Sequence, residues 1–232
     1  MAIKSKWVGS NLVYFDDYEY RWVKAIGPDV REWEIRYGQN FTDNAELAIT
    51  YVDVGAGTSA FTQAITAGNR VLLTTAQNEN DGGQFQTVGT PFQLASGHPL
   101  YFGIKCAISD ATQSDFFAGL ASLDDTLISA HALAVVDNGV YFSKVDGGTV
   151  INATAEKAGT EATDAAASAM TTASRIYEIY FDGTTCYFYL DGTLVSSTTA
   201  WPTVVLAPSF GVWAGAAAEK TATIEWMRCI QL

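Results

Sequence analysis

The chain has 232 residues, 48% of them hydrophobic, 12% aromatic and 16% charged, with 25 acidic side chains against 13 basic ones. That apolar content excludes a disordered tail and can fill one sizeable core without a disulfide or metal staple. A net charge of −12, with no cluster of Lys and Arg, repels phosphate backbones and anionic lipid, so neither nucleic acid nor membrane is expected as a partner.

Residues 1–35 read as an irregular N-terminal arm or leading segment. Trp7, Tyr14, Phe15, Tyr18, Tyr20, Trp22 and Trp33 are interleaved there with Asp16, Asp17, Glu19, Asp29 and Glu32. Leu12 to Phe15 is a strand candidate, and Ile26-Gly27-Pro28-Asp29 predicts a turn. So many rings must bury against something, either this domain's own sheet or a neighbouring subunit. The start of the chain has no apolar core of signal-peptide length, and nowhere is there an apolar run long enough to span a bilayer.

From residue 36 to 232 the pattern is a succession of short strands, expected to form a single domain. Leu47 to Val54 ends at Gly55-Ala56-Gly57, and Arg70 to Thr75 closes at Asn78-Glu79-Asn80-Asp81-Gly82-Gly83. In Pro99 to Ser109, residues Leu100, Phe102, Ile104, Cys106 and Ile108 share one face at period two. A polar loop, 110–114, leads to Phe116 to Leu123, which predicts two long strands meeting through a short turn. Asp137-Asn138-Gly139 predicts a tight hairpin between Ala132 to Val136 and Val140 to Val145, because Asn-Gly tolerates the positive φ such turns need. The Ala-rich stretch 153–174 has small apolar residues and much Thr and Gly, which favours exposed strand and loop over helix. Asp182-Gly183 and Asp191-Gly192 punctuate a three-stranded meander over 175–181, 185–190 and 193–199. Within it Cys186, Phe188 and Leu190 face one way and Tyr187 and Tyr189 the other, just as Tyr177, Ile179 and Phe181 alternate with Glu178, Tyr180 and Asp182. Ser209 to Trp213 and Thr221 to Ile230 finish the series. Strands in this number and spacing predict an all-β, antiparallel two-sheet sandwich.

Little of the sequence carries chemistry. Cys106, Cys186 and Cys229 lie in apolar stretches and read as buried thiols, and their odd count without zinc spacing fits assembly in a reducing cytoplasm. His98 and His131 have no recognisable triad partners. Glu32-Trp33-Glu34 has the alternate spacing that puts two acids on one strand face, whereas Asp124-Asp125 are adjacent and would diverge. Read as a calcium loop starting at Asn78, the chain puts Gly82 at position five and Gly89 at position twelve, so a turn is the better reading. No catalytic residue, metal or cofactor is expected, and the chain reads as a binding or structural protein.

Pro99-Leu100-Tyr101-Phe102-Gly103-Ile104-Lys105 with Ser114-Asp115-Phe116-Phe117-Ala118-Gly119-Leu120 resembles the central strands of concanavalin/laminin-G-like jelly rolls. The meander from Tyr177 to Gly192 and the closing Thr223-Ile224-Glu225-Trp226-Met227-Arg228 resemble the same fold. Across nearly its full length, from Asn11-Leu12-Val13-Tyr14-Phe15-Asp16 through Gly139 to Gly147, the chain also resembles tailed-bacteriophage virion proteins encoded near the major capsid protein. That resemblance implies a capsid decoration, or cement, protein. It would be made in the host cytoplasm, sit on the virion exterior, bind the major capsid protein and form a homo-oligomer, with a trimer expected. Trp7, Tyr14, Phe15, Tyr18, Tyr20 and Trp22 are then the candidate contacts to capsid or subunit. The alternative is a lectin-like virion module that binds carbohydrate through exposed rings and aids host adsorption.

Overall fold

The computed structural model describes residues 4–8, 11–15, 31–35, 47–64, 70–88, 92–129, 132–133 and 137–231. In chain order the strands begin with β1 (Lys4–Val8), β2 (Asn11–Phe15), β3 (Arg31–Ile35), β4 (Ile49–Val54), β5 (Ala60–Ala64), β6 (Arg70–Thr74) and β7 (Gly82–Thr87). The short β8 (Phe92–Gln93) precedes two long strands, β9 (Leu100–Ile108) and β10 (Ser114–Ala121), and then β11 (Ile128–Ser129) and β12 (Ala132–Leu133). There follow β13 (Asn138–Lys144), β14 (Val150–Lys157), β15 (Thr160–Ala169), β16 (Arg175–Phe181), β17 (Cys186–Leu190), β18 (Thr193–Thr198), β19 (Val205–Ala214) and β20 (Thr221–Gln231).

Sixteen of these strands build two large antiparallel sheets, while β1 with β2 and β11 with β12 form separate two-stranded ones. Sheet one runs β15-β14-β13-β10-β19-β7-β4, with β8 also paired to β19. Sheet two runs β18-β17-β16-β9-β20-β6-β5, with β3 also paired to β20. Period-two alternation sends Phe102, Ile104 and Cys106 of β9 and Phe116, Ala118 and Leu120 of β10 into one core between the sheets. Rings fill its middle: Phe116 meets Phe210 edge-on at 5.8 Å, and Phe142 meets Phe188 at 5.6 Å. The three cysteines are buried in the same core as small hydrophobes, and burial raises all three thiol pKa values.

The two long strands do not form a hairpin with each other. β9 is central to sheet two and β10 to sheet one, so the loop 109–113 is an arch between layers. The Asp110 carboxylate makes that corner by accepting the amides of Thr112 and Gln113, both at 2.9 Å. A second arch, 215–220, joins β19 to β20 at the same end, and Lys220 reaches Asp110 at 2.8 Å. That bond, the Gln113 and Thr112 amides and the ammonium charge hold the Asp110 carboxyl down at about 2. Its folded pKa lies below the unfolded value of roughly 4, so the stability it adds is present above pH 4 and lost as pH falls toward 2. Urea midpoints measured from pH 5 to 2 should therefore fall more steeply for the native chain than for Lys220→Met.

The hairpin expected across Asp137-Asn138-Gly139 does not form either. Asn138 and Gly139 already belong to β13, paired with Lys157 and Glu156 of β14, while β12 pairs with β11. The tight turn sits next door at Ala158-Gly159, with φ of 50° and 69°, and the Asn138 side chain accepts the Ala158 amide at 3.0 Å. The Ala-rich stretch is strand, chiefly β14 and β15, as its composition favours, but it is not all exposed: Ala153, Thr154 and Ala155 of β14 are buried. The meander is also as expected, and Asp191-Gly192 turns with φ of 49° and 78°, the paired positive values of a two-residue hairpin loop. β3, within the expected leading segment, is hydrogen-bonded along β20, and Trp33 is buried with its indole donating to the Leu47 carbonyl at 2.7 Å.

Candidate functional site

The outer faces of both sheets carry side chains that could meet a ligand. On sheet one, Phe117, Tyr141 and Trp213 point away from the core and are covered by Leu127 and Ile128 of the segment following β10. Two glutamines of β7 hold this strap as a strand backbone would. Gln84 donates to the Asp124 carbonyl and accepts the Leu127 amide, both at 2.7 Å. Gln86 accepts the Asp124 amide at 2.8 Å and donates to the Ser122 carbonyl at 3.0 Å. Beside the strap lies a cleft of about 220 Å³, lined by Thr50, Val52, Gln84, Gln86, Leu123, Asp124 and Asp125. The strap is not extended at Asp124, whose carboxylate accepts the Thr126 amide at 2.7 Å, so the two adjacent acids both border the cleft.

On sheet two the outward positions are aromatic. Tyr101, Tyr180 and Tyr187 stand opposite one another on β9, β16 and β17, and Ile230 extends the row on β20. Tyr101 and Ile230 are buried at the base, and Tyr180 and Tyr189 pack against them. Tyr180, Tyr187 and Tyr189 remain half-buried, with the Tyr180 and Tyr187 rings stacked at 6.3 Å and 21°. The Tyr101 phenol lies over Gly103, where a Cβ would come within 2.2 Å of its oxygen, so the ring needs glycine there.

Carboxylates hold the phenols. Tyr101 donates to Glu178 at 3.2 Å and Tyr187 to Asp182 at 3.3 Å. Burial alone would raise the Asp182 carboxyl, but bonds from Thr184, Thr185 and Tyr187 outweigh it and hold the group below the usual range. Burial and the neighbouring Asp182 charge push the Tyr180 phenol up. The basic side chains on the same outward face, Lys105 and Arg228, have acidic partners, and so does Arg175 at the far, core-side end of β16. Arg175 meets Asp191 at 2.8 Å, Lys105 meets Glu225 at 2.7 Å, and Arg228 meets Glu32 at 2.6 Å.

The residues that the sequence singled out fall in different places. Trp7 lies on β1 opposite Leu12, and Tyr14 and Phe15 lie on β2 opposite Ser5 and Lys4, in a separate two-stranded sheet. Tyr18, Tyr20, Trp22 and His131 lie outside the described residues. Glu32 and Glu34 do share a strand face, but one guanidinium, Arg228, sits between them at 2.6 and 3.8 Å. Asn78 to Asp81 is a turn, with Gly82 and Gly83 opening β7, and its Asp81 carboxylate accepts the amides of Ala56 and Gly57 at 2.8 and 2.7 Å. The tyrosine face was legible as alternation, while the strap clamp and the Asp81 clip were not. Gln84 and Gln86, alternating on one strand, were the available signal for the first.

No family model and no curated protein matches the chain. Solved structures do. The carbohydrate recognition domain of Emp47p is 9% identical over 85% of this chain and 94% of its own, with a TM-score of 0.59. The Crh5 transglycosylase is 14% identical over 85% of this chain and 83% of its own, also at 0.59. A protein of unknown function from Shewanella oneidensis MR-1 is 10% identical over 94% of both chains, at 0.55. At such identities the likeness concerns fold: the chain is a lectin-like, concanavalin-like β-sandwich.

Proposed function

We propose that the chain is a carbohydrate-binding module that holds a glycan against Tyr180, Tyr187 and Tyr189 on the outer face of sheet two. The stacked, half-buried pair Tyr180 and Tyr187, the latter anchored to Asp182, carries the reading. The apolar face of a sugar ring lies flat on such rings at little entropic cost, and flanking carboxylates accept its hydroxyls. The fold shared with carbohydrate recognition domains supports this over a capsid role, and the capsid-decoration reading draws no support from those neighbours. Glycosidases and transglycosylases share the fold too. Binding is favoured over hydrolysis because the alternating pair Glu32 and Glu34 is engaged with Arg228, not poised about a cleft.

A glycan array followed by calorimetry tests the reading. Tyr180→Ala and Tyr187→Ala should each weaken the best ligand about tenfold, or ~1.4 kcal/mol, without unfolding the domain. Leu123→Ala and Asp125→Ala, beside the cleft on sheet one, should leave affinity unchanged. Glycan binding that ignores the tyrosine changes, or that follows the cleft changes, would remove the proposal.

A further inference from the structure

We infer that this tyrosine face selects amine-bearing sugars over their acetylated or acidic counterparts. The inference rests on the glycan-binding reading above and adds the chemical class of the ligand. Three observations carry it. The first is Asp182, at the edge of the stacked pair. Its Oδ1 is engaged by the Thr184 and Thr185 amides and the Thr184 hydroxyl, while the described donor to Oδ2 is the Tyr187 phenol at 3.3 Å. A carboxylate oxygen has two lone-pair sites, so Oδ2 can accept a second donor from a bound ligand.

The second observation is the ring faces. A protonated amine over Tyr180 or Tyr187 gains the attraction of a cation for the negative face of the ring, and Asp182 lies close enough to act on the same charge. An acetylated amine keeps the apolar sugar face but loses that attraction. The third is the sign of the surroundings. Lys105 and Arg228, the outward basic side chains of β9 and β20, are each bound to a carboxylate, so an incoming uronate, sulfate or sialate would have to displace an existing ion pair. The net charge of −12 opposes such anions at longer range as well.

The test uses three soluble oligomers of equal length: a glucosamine hexamer with its amines protonated, the N-acetylglucosamine hexamer and hexagalacturonate. Calorimetry on the whole chain at low salt should show the amine-bearing hexamer binding about tenfold tighter than the acetylated one, with no heat from the galacturonate. About 0.5 M salt should erase most of that advantage, since screening acts on the charge and not on the ring contact. Asp182→Asn should do the same while keeping the acetylated sugar bound, and the salt series stands as the test should that variant fold poorly. Equal or tighter binding of the acetylated hexamer, binding of the galacturonate, or a preference indifferent to salt would overturn the inference. If those results came with binding still dependent on Tyr180, the glycan reading would survive alone. If none of these oligomers and no sugar on the array bound, both would fall.

Discussion

Replacing Lys144 by methionine should destabilise the sandwich by about 3–5 kcal/mol and lower its urea midpoint by roughly 1–3 M. Lys144 ends β13 with its side chain almost wholly buried, at 2% exposure. Its ammonium donates to the carbonyls of Thr112 and Ser114, fastening β13 to the arch between β9 and β10. Burial pulls its pKa below the ordinary lysine range, and the charges of Asp115, Asp146 and Asp110 pull the other way. Asp115 is itself fully buried and accepts the Asp146 amide at 2.5 Å. Methionine fills the space but takes the ammonium donor from both carbonyls and removes the positive charge that acts on the buried Asp115 carboxylate. Removing one member of a buried charged set costs more than the set's net worth, because the remainder stays desolvated. Lys157→Met, at the exposed end of β14, should leave the midpoint where it is. Equal loss in both variants would mean that net charge, not the buried contact, matters.

Asp81→Ala should cost about 3 kcal/mol and lower Tm by roughly 6–12 °C. The Asp81 side chain is 3% exposed and ties two loops together, accepting from Ala56, Gly57 and Asn78. Burial raises its carboxyl pKa, but these hydrogen bonds outweigh burial and hold the group below its usual value. The clip therefore contributes above the unfolded pKa of roughly 4 and weakens as pH falls below it. At neutral pH the difference between native and variant should be at its full size, and it should shrink in acid. A difference independent of pH would point to lost packing instead.

Both expectations concern residues whose type is visible in the sequence but whose partners are not. Alternation sufficed for the strands of the meander, and it correctly separated Tyr187 and Tyr189 from Cys186 and Phe188, since side-chain direction in a strand depends on parity alone. Sheet membership is different. Phe116 and Phe102 look alike at the level of pattern, yet one lies in each layer, because the loop between them arches over the core and each strand pairs with others further along the chain, β13 and β19 for one and β16 and β20 for the other. Asn138-Gly139 failed as a turn signal for a related reason. Dipeptide preference is local, and here Gly139 serves a strand position where the Tyr141 ring crowds any Cβ. Lys144 could have been flagged as a lone charge ending the run Val140-Tyr141-Phe142-Ser143, although nothing local says that it would find carbonyls of the arch. The stacking of Tyr180 on Tyr187 needs the register of β16 against β17, which the turn at Asp182-Gly183 hints at but does not fix.

Whether sugar sits on the tyrosines is tested most directly by a nuclear magnetic resonance titration with the best array ligand. Ring and amide signals of Tyr180, Tyr187 and Tyr189 should move together and saturate at one affinity, while Thr50, Leu123 and Asp125 stay still. Shifts confined to those last three, with the tyrosine signals unmoved, would contradict that reading.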